Sequence, residues 1–224
     1  MVFMLKNPLY QLLALLAFTF LLLPCYLYID QTICLQTQGI REQFYIPLRL
    51  LSIITSPGAQ LPFWSLAFIF YLVIKKNKEK SLFIYPILAS MIASNTLIRF
   101  IKIFVGRSRP DMLLISNIYE LKFLSFERFY SSFPSGHAAT LASFIAIFAV
   151  KYPRQALFWI GLTIGLSLCR VYISAHYLSD VLFGSYLGFY FTWIFYYNQC
   201  DNSPSYLIYT TETFSWKKLI LSRT

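Results

Sequence analysis

Long apolar runs are the feature of this sequence that most constrains its fold. A helix that crosses the hydrocarbon core of a bilayer needs about 20 mostly apolar residues. Six segments approach or reach that length, at 9–29, 61–74, 82–105, 136–150, 156–175 and 181–197. The second extends back towards Pro57, and the third carries Arg99 and Lys102 near its end. We therefore predict an all-α fold, a polytopic membrane helical bundle with six transmembrane helices.

The composition excludes the main soluble alternatives. Hydrophobic residues make up 58% of the 224 residues and charged residues only 12%, about half the share of roughly 25% that is usual in soluble domains. A disordered chain needs low hydrophobicity, and a nucleic-acid-binding domain carries its basic residues on a polar surface. The net charge of +10 therefore does not indicate a nucleic-acid partner. We expect the lipid bilayer to surround the chain, and we infer no obligate protein partner.

Positive charges between the apolar runs indicate how the helices are oriented. Basic residues cluster before the first run, between the second and third, between the fourth and fifth, and in the tail. They are Lys6, Lys75, Lys76, Lys78, Lys80, Lys151, Arg154, Lys217, Lys218 and Arg223. Because cytoplasmic loops carry an excess of Lys and Arg, we predict both termini in the cytoplasm, in a bacterial inner membrane. The segments 30–60 and 106–134 then form loops on the periplasmic or outer side.

A single domain accounts for this pattern. We place the six-helix domain at 1–198 and a cytoplasmic tail at 199–224, since the sequence contains no internal repeat. In the tail, Trp216 before Lys217 and Lys218 fits either an interfacial anchor or a frayed end without function.

Two glycine pairs have the spacing that lets membrane helices approach closely. Gly161 and Gly165 form one GxxxG pattern, and Gly184 and Gly188 form the other. Such pairs often occur by chance in apolar helices, so the pattern alone is a weak indication of packing.

Ionisable residues at membrane depth are energetically costly and by default mark function. Several fall at the non-cytoplasmic ends of the third to sixth runs, so that four helices bring charge to one level. They are Arg99, Lys102, Arg109, His137, Arg170, His176 and Asp180. A cluster rich in Arg and Lys favours a multiply charged anion such as phosphate. For Arg99, snorkelling to the interface explains its position at least as well.

Three motifs contain most of these residues. They are KIFVGRSRP at 102–110, PSGH at 134–137 and RVYISAHYLSD at 170–180. In order and spacing they resemble the type 2 phosphatidic acid phosphatase (PAP2) family, whose patterns are KxxxxxxRP, PSGH and SRxxxxxHxxxD. The sequence departs from this pattern at Cys169, where the family has serine. The resemblance implies a PAP2-like bundle and a membrane lipid phosphatase.

The third motif contains the predicted catalytic pair, His176 and Asp180. On a helix, residues four apart share one face, and a carboxylate beside one imidazole nitrogen leaves the other free to attack. The resemblance implies that His176 is the nucleophile that forms a phosphohistidine. It also implies that His137 is the general acid and later activates water. On spacing alone, a His–Asp pair that caps or staples the helix is the better explanation, but Arg170 and the other motifs favour the catalytic role.

The resemblance also implies a phosphate-binding set. Its members are Lys102, Arg109, Ser135, Gly136 and Arg170. Ser135 and Gly136 fit the start of a helix as well, where backbone N–H groups bind phosphate and a serine caps the first turn. These two roles are compatible. Arg107 lies close to Arg109 within the first motif, and Asp111 directly follows the motif; the two either pair with each other or line the entrance.

We expect no metal and no other cofactor. The chain has only two histidines, both inside motifs, and its four cysteines show no CxxC spacing of the kind that holds zinc. The sequence therefore predicts metal-independent chemistry.

The sequence leaves the substrate and the acceptor open. The lipid candidates are phosphatidic acid, phosphatidylglycerophosphate, undecaprenyl pyrophosphate and a lipid A phosphate. A lipid phosphotransferase would use the same site, with an alcohol in place of water. Vanadium haloperoxidases resemble the same motifs but are soluble. A non-catalytic lipid-phosphate-binding or transport protein is disfavoured, because both histidines are present and the charges lie at one end of the bundle.

Overall fold

A computed structural model describes residues 8–202 of the chain. This part is helical, and its β-structure is one isolated bridge between Arg107 and Leu121. The described α-helices, in chain order, are α1 (Pro8–Pro24), α2 (Asp30–Gln36), α3 (Gln38–Ile54), α4 (Pro57–Ile69), α5 (Lys78–Val105), α6 (Pro110–Ser116), α7 (Gly136–Lys151), α8 (Ala156–Ser167), α9 (Cys169–Tyr172) and α10 (Leu178–Asn202). The prediction of an all-α fold is confirmed.

Four helical stretches within residues 8–202 are long and apolar enough to cross a membrane. They are Leu9–Gln36, Gln38–Ile74, Lys78–Val105 and Pro153–Tyr172. The first two are continued by π-helical turns at Cys25–Ile29 and Phe70–Ile74. The other two predicted spans are helices, but α7 has only 16 residues and α10 is not among the four. The structure thus shows a membrane-type helical bundle, without establishing six spans.

The prediction of a loop at 30–60 is wrong, because α2 and α3 occupy most of this segment. In α3, polar residues recur every three or four positions, at Arg41, Tyr45, Arg49 and Ser52. This spacing places them on one face of a helix. A search for continuous apolar runs does not detect such an amphipathic helix.

The most extensive helix–helix contact joins α7 and α10. A Cβ atom on Gly184 would lie 2.3 Å from the Ser135 carbonyl oxygen, and one on Gly188 would lie 2.3 Å from that of Ala139. The absent side chains therefore allow the two backbones to touch. By contrast, a Cβ atom on Gly161 would meet nothing within 4 Å. Of the two GxxxG patterns, the second makes a close helix contact, and it holds α10 against the start of α7.

We expect Gly184→Ala to destabilise the bundle, because its methyl group meets a backbone carbonyl that cannot move without displacing α7. Gly161→Ala is the matched control, since it adds the same methyl group in open space. Overpacking of this kind costs about 1–3 kcal/mol. Thermal unfolding in detergent should show a lower midpoint for the Gly184 variant only. Equal midpoints for the two variants would contradict the close contact.

The C-terminal helix extends past the predicted domain boundary. α10 continues to Asn202, four residues beyond the boundary placed at 198. The rest of the predicted tail lies outside the described residues. The cytoplasmic tail and the interfacial anchor at Trp216 therefore stay predictions.

Candidate active site

The three motifs meet in one cavity of about 620 Å³. Its walls come from α3, the start of α4, the C-terminal part of α5, the loop after it, the start of α7 and the segment 170–176. Six of the predicted site residues line it: Lys102, Arg109, Gly136, His137, Arg170 and His176. The remaining two, Ser135 and Asp180, are buried.

The second motif forms the start of α7. Ser135 has extended backbone angles, and its hydroxyl accepts a hydrogen bond from the Ala138 N–H at 3.4 Å. Gly136 and His137 then occupy the first turn, where backbone N–H groups have no partner within the helix. Such a helix start favours a bound anion. The buried Ser135 hydroxyl caps the helix, and its predicted contact with phosphate stays a prediction.

His176 and Asp180 meet, but not on one helical face. His176 precedes α10, which begins at Leu178, so that part of the sequence argument is wrong. The Asp180 carboxylate instead accepts a hydrogen bond from the Tyr177 N–H at 2.9 Å and so caps the helix. This turn brings His176 Nδ1 to 3.6 Å from Asp180 Oδ2. That separation exceeds a hydrogen bond, and catalytic hydrogen bonds are often this long before substrate binds.

His176 lies in surroundings that favour the neutral imidazole. Its side chain is only 4% exposed. Burial lowers the pKa of His176 well below its ordinary value, and the nearby charges of Lys102 and Arg170 lower it further, while Asp180 opposes the shift. A neutral ring keeps the lone pair that a nucleophile needs.

The three motif cations are held by oxygen atoms that carry no charge. Lys102 donates to the Ser131 carbonyl, and Arg109 Nη2 donates to the Ser131 hydroxyl at 3.0 Å. Arg170 Nη1 donates to the Ser52 hydroxyl. None of the three forms an ion pair with a carboxylate in the described part of the chain. Their charge is therefore available to an anion in the cavity.

Arg107 lies behind the cavity and makes two short ion pairs. Its side chain is 2% exposed, with Nη1 2.5 Å from Asp180 Oδ1 and Nη2 2.8 Å from Asp30 Oδ2. The suggested pairing of Arg107 with Asp111 is wrong. Asp111 instead lies 3.6 Å from Arg41, and both of these side chains line the cavity.

Aromatic rings enclose the Arg107 guanidinium. Its central carbon lies 4.2 Å from the ring centre of Tyr177, 4.8 Å from that of Tyr26 and 5.4 Å from that of Tyr119. Burial by itself lowers the pKa of Arg107, but Asp180 and Asp30 more than reverse this and raise it above its ordinary value. Arg107 is therefore a permanent cation that two carboxylates hold and three tyrosine rings enclose.

Asp180 connects the three motifs. One carboxylate oxygen accepts from Arg107 in the first motif, and the other accepts from the Ser132 hydroxyl at 2.5 Å, just before the second. Its backbone carbonyl accepts from the Ser135 N–H at 3.0 Å. Since Asp180 itself belongs to the third motif, these hydrogen bonds join all three segments.

Sequence reasoning missed Asp30 and gave Arg107 no definite role. Asp30 follows directly after the first apolar run, and a carboxylate at that level is itself an indication of function or pairing. Its partner could not be identified, because 77 residues separate it from Arg107. The first motif assigned Arg109 to phosphate binding, but it gave no indication that Arg107 is buried between two carboxylates.

Residues 8–202 contain no group of three or more His, Cys, Asp or Glu side chains placed to hold a metal ion. The expected metal independence stays a prediction that chelation can test.

The sequence around this cavity is similar to that of known proteins. The family model described as PAP2 superfamily matches residues 83–203, a segment that includes all three motifs. A lipid A 1-phosphatase from Rhizobium etli is 31% identical over 128 residues, which cover 54% of this chain and 55% of that protein. A lipid A 1-phosphatase from Rhizobium johnstonii is 35% identical over 103 residues, 46% and 42% of the two chains. The chain thus spans about half the length of these curated relatives.

A solved structure supports the fold. The crystal structure of a transmembrane PAP2-type phosphatidylglycerolphosphate phosphatase from Bacillus subtilis aligns with a TM-score of 0.55. The alignment covers 84% of this chain and 93% of the other, at 21% identity. At this identity the likeness establishes the architecture of the bundle only.

Proposed function

This chain belongs to the PAP2 superfamily, and from that premise we propose that it is a membrane lipid phosphatase. It removes phosphate from a lipid phosphomonoester or pyrophosphate. One observation carries the proposal: the two motif histidines and the three motif cations line the same cavity, and none of these cations forms an ion pair with a carboxylate of residues 8–202. The chain is an integral membrane protein with apolar helices around this cavity. A lipid headgroup is therefore the phosphate ester that most readily reaches it.

In the proposed reaction, His176 attacks phosphorus and forms a phosphohistidine, while the bond to the lipid oxygen breaks. His137, carrying a proton, donates it to the departing oxygen. His137 then takes a proton from water, which attacks the phosphohistidine, releases inorganic phosphate and restores His176. Lys102, Arg109 and Arg170 stabilise the negative charge on the phosphoryl oxygens throughout.

The remaining predicted residues support these steps. Gly136 exposes its backbone N–H at the start of α7, which adds a donor to the phosphoryl oxygens. Ser135 caps that helix, and its position behind the cavity fixes the direction of the first turn. Asp180 orients His176 and stabilises positive charge on its ring during the reaction.

We also propose six spans, formed by the four apolar stretches together with α7 and α10. In this arrangement the cavity faces the outer side of a bacterial inner membrane, and both termini are cytoplasmic. The basic segment at 75–80 supports this orientation, because α5 carries Lys78 and Lys102 near its opposite ends, about 36 Å apart along the axis. The lipid then enters sideways from the outer leaflet. Cysteines placed singly in 111–130, but not in 75–80, should react with an impermeant reagent added outside.

A panel of lipid phosphates tests the activity of the purified chain in detergent. Because the relatives are lipid A and phosphatidylglycerolphosphate phosphatases, the panel includes both lipids, with phosphatidic acid and undecaprenyl pyrophosphate. We expect release of inorganic phosphate from at least one of them, and inhibition by vanadate, which mimics five-coordinate phosphorus. EDTA should leave the rate unchanged. Loss of activity in EDTA that added divalent metal restores would refute the metal-free mechanism, and a panel without any turnover would refute the function.

A further inference from the structure

The cavity contains more positive charge than one phosphate group uses. Its lining includes seven cationic side chains: Arg41, Arg49, Arg99, Lys102, Arg109, Arg128 and Arg170. Asp111 is the single carboxylate among the lining residues, and it lies against Arg41. A phosphomonoester carries about two negative charges at pH 7, and the three motif cations already exceed that number. The other cations require a separate explanation.

The polar face of α3 forms one wall of the cavity. Ser52 lies at its deep end, where its side chain is 1% exposed and accepts a hydrogen bond from Arg170. Arg41 lies at the other end and is 37% exposed in its pair with Asp111. Arg49 lies between them, about one helical turn or 5 Å from Ser52 towards the mouth. Arg49 therefore lies one turn from the contact between Ser52 and Arg170, and its side chain is exposed.

Arg128 occupies a corresponding place on another wall. It begins the short 3₁₀ turn Arg128–Tyr130, directly before Ser131, whose hydroxyl accepts from Arg109. Arg128 acts electrostatically on Arg109, and Arg49 acts in the same way on Arg170. Each exposed arginine thus flanks one of the motif cations.

Neither of these arginines has a carboxylate partner in the part of the chain that the structure describes. Among residues 8–202, no carboxylate forms an ion pair with Arg49 or Arg128, and neither side chain is a hydrogen-bond donor there. Like charges held around one cavity repel each other, and a bound anion relieves that repulsion. Arginine is also the side chain best suited to hold a phosphate or carboxylate with two hydrogen bonds.

We propose that Arg49 and Arg128 form a second anion-binding subsite at the mouth of the cavity. The subsite takes a second phosphate-type group on the headgroup of the same lipid whose scissile phosphate lies against the motif cations. This inference rests on the proposed lipid phosphatase function and narrows its substrate class to lipids with at least two anionic groups.

Two lipids that differ in the second anion test the subsite by turnover. Phosphatidic acid carries one phosphomonoester, and phosphatidylglycerophosphate carries a phosphodiester as well. We expect the wild-type chain to have the higher kcat/KM for phosphatidylglycerophosphate. In the Arg49→Gln/Arg128→Gln variant this preference should fall by about 10- to 100-fold, the effect of losing a charged hydrogen bond, mainly through KM. Lys78→Gln, which removes a charge at the far end of α5, is the control and should leave both rates unchanged.

Binding to chains that cannot turn over separates the subsite from the reaction. Equilibrium binding of the same two lipids is measured in nanodiscs for two variants. One carries His176→Ala alone, and the other carries His176→Ala together with Arg49→Gln and Arg128→Gln. Tighter binding of phosphatidylglycerophosphate that depends on both arginines supports the subsite. If the subsite is supported in this way but the wild-type chain hydrolyses neither lipid, only the proposed function for these lipids fails. Equal binding of the two lipids, or a preference that survives the glutamine substitutions, overturns the subsite.

Discussion

His176→Ala should abolish phosphate release from lipid substrates, with kcat lower by roughly 10⁴- to 10⁶-fold, the scale seen when a covalent nucleophile is removed. The reason is geometric: His176 lines the cavity and has one ring nitrogen facing Asp180, so the other nitrogen is the attacking atom. Release of inorganic phosphate from the preferred lipid of the panel measures the effect. Rapid quenching with radiolabelled lipid should trap a phosphorylated chain in the wild type and none in the variant.

Two controls separate loss of the nucleophile from loss of the fold. The variant should enter the membrane and elute from size exclusion as the wild type does, because alanine leaves the Asp180 network with Arg107 intact. The His137→Ala variant lacks the group that activates water, so it should hydrolyse the phosphohistidine slowly. With a lipid whose leaving group needs little protonation, the first step still proceeds, and phosphorylated chain should accumulate. Undiminished phosphate release by the His176 variant would rule out the proposed nucleophile.

The helices that carry continuous apolar sequence could be predicted well. α1, α5 and α8 coincide with runs in the sequence, since a spanning helix needs little besides length and apolarity. α3 could not be found in this way, because its polar residues interrupt the run and become meaningful only when the cavity is known. The helix Leu178–Asn202 was predicted as 181–197, and the difference at its start reflects the Asp180 cap, which apolarity does not reveal.

For the candidate site, the sequence identified the residues of the three motifs but not those that hold them. Lys102, His137 and His176 were found because a family resemblance places them in fixed patterns. Asp30 and Arg107 make their contacts between segments distant along the chain, and no local pattern records such a pairing. Arg49 was missed for a similar reason, since it lines the cavity from a segment that was predicted to be a loop.

The buried Arg107 network is the part of the protein where one substitution should cost the most stability. Arg107 lies between Asp180 and Asp30, and both carboxylates are at most 1% exposed. Removing one member of a buried ion pair leaves a charge without a partner away from water, which typically costs about 3–5 kcal/mol. This is a large part of the roughly 5–15 kcal/mol by which native domains are stable. A single substitution of Arg107 leaves two buried carboxylates, Asp30 and Asp180, without their cationic partner.

Arg107→Met should therefore lower the free energy of unfolding in detergent by about 3–5 kcal/mol. It should also lower the activity of the chain that remains folded, because Asp180 loses the partner that fixes it behind His176. Adding Asp30→Asn should restore part of the stability by removing one unpaired carboxylate, and the double-mutant cycle measures that coupling. Lys122→Met is the matched control: its ion pair with Glu127 is also short, at 2.6 Å, but both side chains are more than half exposed. Exposed pairs contribute little, so this variant should unfold as the wild type does. If Arg107→Met were as harmless as Lys122→Met, the network would not be what positions Asp180.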